Sequence, residues 1–403
     1  MVSTLKFISI LGSTGSVGKN TLEVLSSLPN KYSLYGISCN KNISVLFDQI
    51  NKYRPSVAVI TDYDSYKEFI NLHGIHINST KVEYGEAGLK DIASNAKVDV
   101  VVAAIVGFTC LTSVVDAITT DKIVIIANKE ILVSAGEMIM SILSKSNAIL
   151  LPIDSEHNAL LQVILSSGLD YRINDNTYYK SKINNLTITA SGGPFIDLKI
   201  SDFGKIRARD AVKHPTWEMG EKISVDSSTM MNKGLEILEA KILFNLDLSN
   251  INAIIHRQSK VHALVEFFDG TIIAHMSEPD MKIPISFALT YPDRIYKSSN
   301  KNFQYEDLSF EEISIDKFPC YQIARNVAEN GKNSGLILNA ANEISVEYFL
   351  KDEIMYKDIP NIIQDVLDTA DFRSHDSIES ILDNDKEIRA ITKKLIKERY
   401  GIN

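Results

Sequence analysis

The sequence has few cysteines, no excess of positive charge and no long apolar run, and each of these shortages excludes a class of protein. Its three cysteines are far apart and form no C-x-x-C pair, which argues against a disulfide framework or a structural zinc site. No stretch approaches the roughly 20 uninterrupted apolar residues that a membrane span needs. With 42 Lys and Arg against 51 Asp and Glu, the net charge of -9 provides no general field for nucleic acid or anionic lipid. Any anionic substrate must therefore be held by local groups. From the cysteines, we expect the protein to lie in the reducing cytoplasm.

A targeting segment is also lacking. The first residues, MVSTLKFISILGS, pass directly into a strand-like run, without an Arg-rich presequence or a small-residue cleavage site after an apolar core. We therefore expect the mature chain to start at Met1. Its 403 residues, 45% hydrophobic and 23% charged, are enough for two or three domains with large cores.

The first part of the chain, from residue 5 to about 155, alternates short apolar runs with helical segments. This pattern is typical of a mostly parallel, doubly wound sheet and predicts a domain over residues 1–154. The predicted strands are KFISILG, YSLYGISC, VAVIT, VDVVVAAI, KIVIIAN and AILLPID. The predicted helices are TLEVLSSL, SVLFDQINKY, YKEFINLH and GEMIMSILSKS.

The remainder divides into three further parts. Residues 155–290 contain a helix at HNALLQVILSSG, a strand at NNLTITASGGPF and a β-hairpin around Asp269-Gly270, whose strands another subunit can join. Residues 291–316 are polar and lack periodicity, which predicts a linker, and residues 317–403 are helical. The predicted fold class is α/β: an N-terminal Rossmann-like doubly wound sheet, a central α+β catalytic domain and a C-terminal helical bundle.

A glycine-rich turn follows the first predicted strand. GSTGSVG places Gly12, Gly15 and Gly18 at the start of a helix, where free N–H groups and the helix dipole stabilise phosphates. The alternative is an ordinary βα turn, but the strand and helix on either side favour a nucleotide site. The second strand ends in Ser38-Cys39-Asn40-Lys41-Asn42, with a lysine where an NAD site has a carboxylate, which favours NADPH.

Two further strand ends, AAIVG and ANKE, lie where doubly wound folds bind ligands. Lys129 and Glu130 are candidate contacts to the substrate and the nicotinamide ribose, the alternative being the charged start of a helix.

Three carboxylates predict a metal site. Asp154 and Glu156 are two positions apart, so in an extended segment both side chains point the same way. Glu236, predicted to open a helix after MNKG, completes the set. Carboxylates without a trio of His or Cys suit Mg2+ or Mn2+ rather than zinc. A solvated helix N-cap explains D-S-E-H equally well.

Polar residues in two short stretches predict an anion site. A turn with free N–H groups, together with hydroxyl, amide and ammonium donors, can hold a phosphate monoester. These residues are Ser191, Gly192, Gly193, Ser227, Asn232 and Lys233. The single tryptophan, Trp217, stands in HPTWEMG; a lone tryptophan is commonly a core residue, but its position between these stretches suggests a lid over bound substrate.

Taken together, these motifs resemble the 1-deoxy-D-xylulose 5-phosphate reductoisomerase family. The resembling blocks, in family order, are GSTGSVG, ANKE, DSEHNA, SGGPF, HPTWEMGEKISVDSSTMMNKGLE, EPDM and LNAANE. The resemblance implies an NADP-dependent oxidoreductase that converts 1-deoxy-D-xylulose 5-phosphate to 2-C-methyl-D-erythritol 4-phosphate for isoprenoid synthesis. It also implies a divalent metal (Mg2+, Mn2+ or Co2+), a rearrangement of the carbon skeleton followed by hydride transfer, and a homodimer.

The resemblance also implies roles for particular residues. Lys129, Asp154, Glu156, Glu236 and His214 are expected to be catalytic, with the three carboxylates as metal ligands. The expected substrate contacts are Lys129, Ser155, Glu156, Ser191, His214, Trp217, Ser227, Asn232, Lys233 and Glu236. The expected NADPH contacts are Thr14, Gly15, Ser16, Val17, Asn40, Lys41, Asn42, Asn128, Glu130 and Gly220.

Two other functional classes share some of these features. A plain NADP-dependent dehydrogenase has the same first domain but no need of DSE plus MNKGLE. A non-enzymatic NADPH sensor binds the cofactor without consuming it.

Overall fold

A computed structural model of the protein describes residues 5–28, 30–169, 180–213, 220–297, 304 and 306–402. An eight-stranded sheet forms its N-terminal part. Its strands are β1 (Lys6–Leu11), β2 (Tyr32–Cys39), β3 (Val57–Ile60), β4 (His76–Ile77), β5 (Thr80–Tyr84), β6 (Val100–Ala103), β7 (Ile123–Ile126) and β8 (Ile149–Pro152). The order is β4-β5-β3-β2-β1-β6-β7-β8, and every pair except β4 with β5 is parallel. The six predicted strands are confirmed. The sequence analysis missed β4 and β5, which are short or mixed in polarity.

Helices cover both faces of this sheet, as a doubly wound fold requires. They are α1 (Ser16–Ser26), α2 (Ile43–Tyr53), α3 (Tyr63–His73), α4 (Gly85–Ser94), α5 (Leu111–Thr119) and α6 (Lys129–Leu143). Successive residues of β3 enter different cores: Val59 lies in the main cluster, whereas Ala58 and Ile60 pack in a second cluster with Leu46 and Phe69 of α2 and α3. α4 and α5 were not predicted. α5, LTSVVDAIT, is rich in β-branched residues that favour strands.

A second, five-stranded sheet has the order β12-β11-β9-β10-β13. Its strands are β9 (Ile183–Ala190), β10 (Ile251–Ile255), β11 (Val261–Phe267), β12 (Ile272–Met276) and β13 (Glu311–Glu312). β11 and β12 are antiparallel neighbours on either side of Gly270, which has φ of 83°, so the predicted hairpin is confirmed. β13 lies within the predicted linker and pairs with β10.

The central helices join the two sheets to a C-terminal helical bundle. The central helices are α7 (Ser155–Ser166), α8 (Ala208–Ala211), α9 (Glu221–Ser228), α10 (Met231–Phe244) and α11 (Lys282–Thr290). The C-terminal helices are α12 (Pro319–Asn330), α13 (Ser334–Leu350), α14 (Asp358–Thr369) and α15 (Ile378–Tyr400), the last of which unites two predicted helical segments. Short 3-10 turns occur at Phe108–Cys110, Ile200–Lys205 and Leu248–Asn250. α10 packs between α6 and α12, so the bundle supports the elements that carry the site.

The main hydrophobic cluster extends from the first sheet to the C-terminal bundle. One buried cluster contains Ile8 of the first sheet, Leu186 of the second and Val366 of the C-terminal bundle. Among the described residues, no helix combines the length and the apolar character needed to cross a membrane.

Candidate active site

The three predicted acidic residues meet although they are distant in the chain. Asp154 follows β8, Glu156 lies in the first turn of α7 and Glu236 lies in α10. One carboxylate oxygen from each lies within 4.8 Å of the others, and Glu236 is only 1% exposed. Such a group of oxygen ligands is of the kind that Mg2+ and Mn2+ prefer.

The local backbone differs from the prediction at both segments. Asp154 is extended (φ -58°, ψ 132°), but α7 begins at Ser155, so the two carboxylates are not alternate side chains of a strand. Asp154 is the N-cap residue, yet its side chain forms no capping hydrogen bond and instead pairs with Lys129. Glu236 does not open its helix, because α10 begins at Met231. The packing of α7 against α10, rather than strand alternation, brings these side chains together.

Two buried lysines lie among the carboxylates. Lys129 Nζ contacts Asp154 Oδ2 and lies 2.7 Å from Glu236 Oε1, and it donates to Asn232 Oδ1 at 3.0 Å. Lys233 Nζ lies 2.6 Å from Glu156 Oε1 and also contacts Glu236 Oε2. Burial alone would lower the pKa of both lysines, but the neighbouring carboxylates outweigh it, raising the pKa of Lys129 well above its ordinary value and that of Lys233 above it. Both side chains are therefore cationic.

The acidic residues differ in their affinity for protons. Burial raises the pKa of Asp154 to about 7, assisted by the charges of Glu236 and Glu156 and opposed by Lys129. Burial also acts to raise the pKa of Glu156, but the charge and hydrogen bond of Lys233 lower it to about 2. Ser155 Oγ contributes by donating to Glu156 Oε2 at 2.5 Å. Glu156 therefore holds its negative charge more firmly than Asp154 does, and a divalent cation would favour the ionised form of Asp154.

His157 and Glu239 support this cluster, and the sequence analysis did not identify either. His157 is completely buried, and burial lowers its pKa to about 4, so the ring is neutral. Nε2 lies 2.9 Å from the carbonyl oxygen of Glu236, to which it donates, leaving Nδ1 as an acceptor 3.4 Å from Glu239 Oε2. Burial raises the pKa of Glu239 well above its ordinary value, and the charge of Asp154 acts in the same direction. The signal in the sequence that could have identified Glu239 was its spacing of one helical turn from Glu236.

The predicted phosphate turn packs directly against α9. Gly192 and Gly193 have φ of 89° and 69°, a region that favours glycine. A Cβ atom at Gly193 would lie 2.7 Å from the carbonyl oxygen of Ser227, so Ser191, Gly193 and Ser227 belong to one surface. Asn232 and Lys233 have other partners here: Asn232 donates to Glu236 Oε1 at 2.5 Å, and Lys233 contacts the two glutamates.

The glycine turn lies between β1 and α1, at the point where the strand order of the sheet reverses. Gly12 has φ of 86°, and a Cβ atom there would lie 2.8 Å from the carbonyl oxygen of Ala104, which follows the adjacent strand β6. A Cβ at Gly18 would overlap Ser13, 2.5 Å from its Cα. Gly15 is exposed at the N-terminus of α1, where no side chain caps the helix. The neighbouring predicted cofactor contacts Thr14, Ser16 and Val17 are half-buried or exposed.

The end of β2 is open to solvent. Asn40, Lys41 and Asn42 are all exposed, and the Lys41 side chain has 74% of its surface accessible. Asn40 donates to Thr61 Oγ1 at 2.8 Å, and Lys41 Nζ lies 4.0 Å from Asp62 Oδ1. The ammonium of Lys41 is therefore accessible to a phosphate group of a bound ligand.

The remaining predicted cofactor residues lie at helix starts. Asn128 caps α6 by accepting from the N–H of Ile131 at 3.2 Å, and it donates to the carbonyl oxygen of Ile105 at 2.6 Å. Glu130 Oε1 lies 2.9 Å from Lys222 Nζ, and Gly220 is the exposed N-cap of α9. His214, Trp217 and the predicted lid around them lie outside the described residues.

Comparison with known proteins gives matches over nearly the entire chain. Residues 8–136 match the family described as 1-deoxy-D-xylulose 5-phosphate reductoisomerase, and residues 150–244 and 276–391 match two C-terminal domains of the same family. The reductoisomerase of Clostridium perfringens strain 13 is 39% identical over 98% of this chain and 100% of the relative. That of Wigglesworthia glossinidia brevipalpis is 42% identical over the same shares. A crystal structure of DOX-P reductoisomerase in complex with NADPH, fosmidomycin and magnesium has a TM-score of 0.90 at 39% identity, covering 97% of this chain and 98% of that one.

Proposed function

Because the chain belongs to the 1-deoxy-D-xylulose 5-phosphate reductoisomerase family, we propose that it converts 1-deoxy-D-xylulose 5-phosphate to 2-C-methyl-D-erythritol 4-phosphate with NADPH and a divalent metal. The observation that carries this proposal is the meeting of Asp154, Glu156 and Glu236 within 4.8 Å, beside two buried lysines. A plain dehydrogenase needs no such cluster, because hydride transfer alone requires only the cofactor and a polarised carbonyl.

The residues of the cluster have distinct roles in this proposal. Asp154, Glu156 and Glu236 hold the cation, which when bound polarises the substrate ketone and favours the alkoxide for carbon–carbon bond rearrangement. Lys129, cationic and buried beside Asp154 and Glu236, would donate to substrate oxygens. His157 fixes the backbone at Glu236 through its Nε2. The aldehyde produced by rearrangement then accepts a hydride from NADPH.

The phosphate and the cofactor have separate binding surfaces. We assign the substrate phosphate to the surface of Ser191, Gly193 and Ser227, where binding energy remote from the reacting carbons orients them. Asn232 and Lys233 extend that surface toward the metal ligands. We assign NADPH to the glycine turn of α1, with Lys41 toward its 2′-phosphate and Glu130 toward the nicotinamide ribose. His214 and Trp217 remain predicted substrate contacts.

The direct test follows NADPH oxidation when 1-deoxy-D-xylulose 5-phosphate is added with Mg2+ or Mn2+. We expect turnover that stops when a chelator is added and resumes with excess metal, and we expect NADH to support it poorly because Lys41 offers charge only to a 2′-phosphate. Product identification separates the alternatives. Reduction without skeletal rearrangement would indicate a plain dehydrogenase, and cofactor binding without consumption would indicate a sensor.

We further propose a homodimer formed through the edge strand β12. Within the described part of the chain, this strand pairs on one side only, with β11, and it exposes Ile272, Ile273 and Met276 by 60%, 40% and 41%. An apolar edge strand with unpaired backbone groups is a surface that another strand can join. Replacing Ile272 and Ile273 by Lys is expected to shift the protein from dimer to monomer in analytical ultracentrifugation. The same change at Ile200, exposed by 53% outside this sheet, is the control and should leave the dimer intact.

A cytoplasmic location is also part of the proposal. Cys39, Cys110 and Cys320 are all free and buried, and burial raises the pKa of each thiol to about 12. Free thiols of this kind are typical of proteins from reducing compartments.

A further inference from the structure

Lys222 is a partly buried cation that no part of the proposed mechanism uses. Its Nζ lies 2.9 Å from Glu130 Oε1 and 2.8 Å from Asp226 Oδ2, and its side chain is only 22% exposed. Asp226, 1% exposed, also accepts a hydrogen bond from Asn342 Nδ2 at 2.8 Å. One ammonium group and its two carboxylates therefore join α6, α9 and α13.

Two of these helices carry different halves of the site. Lys129 and Glu130 are adjacent at the start of α6, and successive residues of a helix point about 100° apart. Lys129 accordingly reaches the metal-binding carboxylates, whereas Glu130 reaches Lys222. α9 ends near Ser227, whose carbonyl oxygen packs against the turn at Gly193. Lys222, a residue of α9, thus links the proposed cofactor contact Glu130 to the helix that carries Ser227.

We propose that Lys222 is a positioning residue that couples NADPH binding at Glu130 to the placement of the phosphate surface on α9, an inference that rests on the proposed function. The ammonium is shared by two carboxylates, of which Asp226 is almost fully buried, so moving it away from Asp226 leaves a charge poorly compensated. When ribose hydroxyl groups donate to Glu130, they compete with Lys222 for the same carboxylate. A resulting shift of the Lys222 ammonium is transmitted to α9, because Lys222 and its partner Asp226 are one turn apart on that helix. Since coupling between two ligands is reciprocal, phosphate ligands should also tighten NADPH binding.

The test is a coupling measurement with fosmidomycin as the phosphate-site probe, since a solved structure of a relative contains it together with NADPH and magnesium. Its dissociation constant is measured by calorimetry in excess Mg2+, with and without NADPH. In the wild-type chain we expect NADPH to tighten fosmidomycin binding by at least about fivefold. In Lys222→Met the ratio should fall toward one, and Lys222→Arg should recover part of it. Lys222→Gln keeps polar donors without the charge and should behave like Lys222→Met. It replaces Lys222→Met in the test if the methionine variant folds poorly.

Lys241→Met is the matched control, because Lys241 lies on α10 and donates to the carbonyl oxygen of Ala328 rather than to the site. It should retain the wild-type ratio. A ratio of one in the wild-type chain, or an unchanged ratio in Lys222→Met with both affinities weakened equally, would overturn the inference and leave Lys222 a structural residue. Absence of wild-type turnover would instead overturn the proposed function, so the two failures are distinguishable.

Discussion

Glu236→Gln is expected to reduce turnover by at least about a thousandfold while leaving NADPH binding intact. A metal that polarises a carbonyl supplies several kcal/mol of transition-state stabilisation, and each 1.36 kcal/mol corresponds to about tenfold in rate. Glutamine keeps the shape of the side chain but loses the negative charge that a divalent cation needs. The nucleotide turn at Gly12 and Gly18 lies in a different element, so the cofactor should be unaffected.

The measurement pairs steady-state turnover with NADPH titration by fluorescence, and adds a thermal melt. The melt is needed because Glu236 contacts both Lys129 and Lys233, although Asp154 and Glu156 remain as their partners. Glu137→Gln, at an exposed position of α6, is the control and should behave as wild type. Parallel loss of cofactor affinity would show that the metal and nucleotide sites are not separate.

Lys129→Met is expected to give a different pattern, in which turnover falls by about 10²- to 10³-fold but metal binding does not weaken. The loss corresponds to about 3–4 kcal/mol, within the range measured when one partner of a buried charge pair is truncated. Lys129 contacts one carboxylate oxygen each of Asp154 and Glu236, and a bound cation needs the same carboxylates. Because its pKa is raised, it remains a charged competitor throughout the neutral range. Methionine removes that competition at similar side-chain length.

Two numbers distinguish this outcome from simple damage to the site: the rate at saturating metal and the Mg2+ concentration for half-maximal activity. The first should fall, and the second should stay constant or decrease. A rise in the second would mean that Lys129 helps to form the metal site. Lys241→Met again controls for loss of a lysine from the neighbouring α10 helix.

Local patterns were sufficient for much of the fold. Continuous apolar runs such as VDVVVAAI are typical of the buried strands of a parallel sheet, and the glycine turn identifies the first of them. The antiparallel hairpin followed from alternation around Asp269-Gly270. By contrast, α5 has residues that favour strands, and β4 is two residues long, so neither has a local signal. Tertiary packing determines such elements.

The site was predictable where chemistry is concentrated in one motif and less so where it depends on distant contacts. Asp154, Glu156 and Glu236 were identified from residue type, but their convergence depends on how α7 and α10 pack. No local pattern pairs Lys222 with Glu130, since the two residues are distant in sequence and meet only when α6 and α9 are placed together.

The contact between Gly193 and the carbonyl oxygen of Ser227 also bears on inhibitor design. Two main-chain segments touch there with no side chain between them, so this part of the surface to which we assign the phosphate has no rotamers with which to adapt. Acid groups bulkier than a phosphonate should therefore be rejected on shape, whatever their charge. Gains in affinity should instead come from extending a ligand toward Glu130, the proposed contact to the nicotinamide ribose.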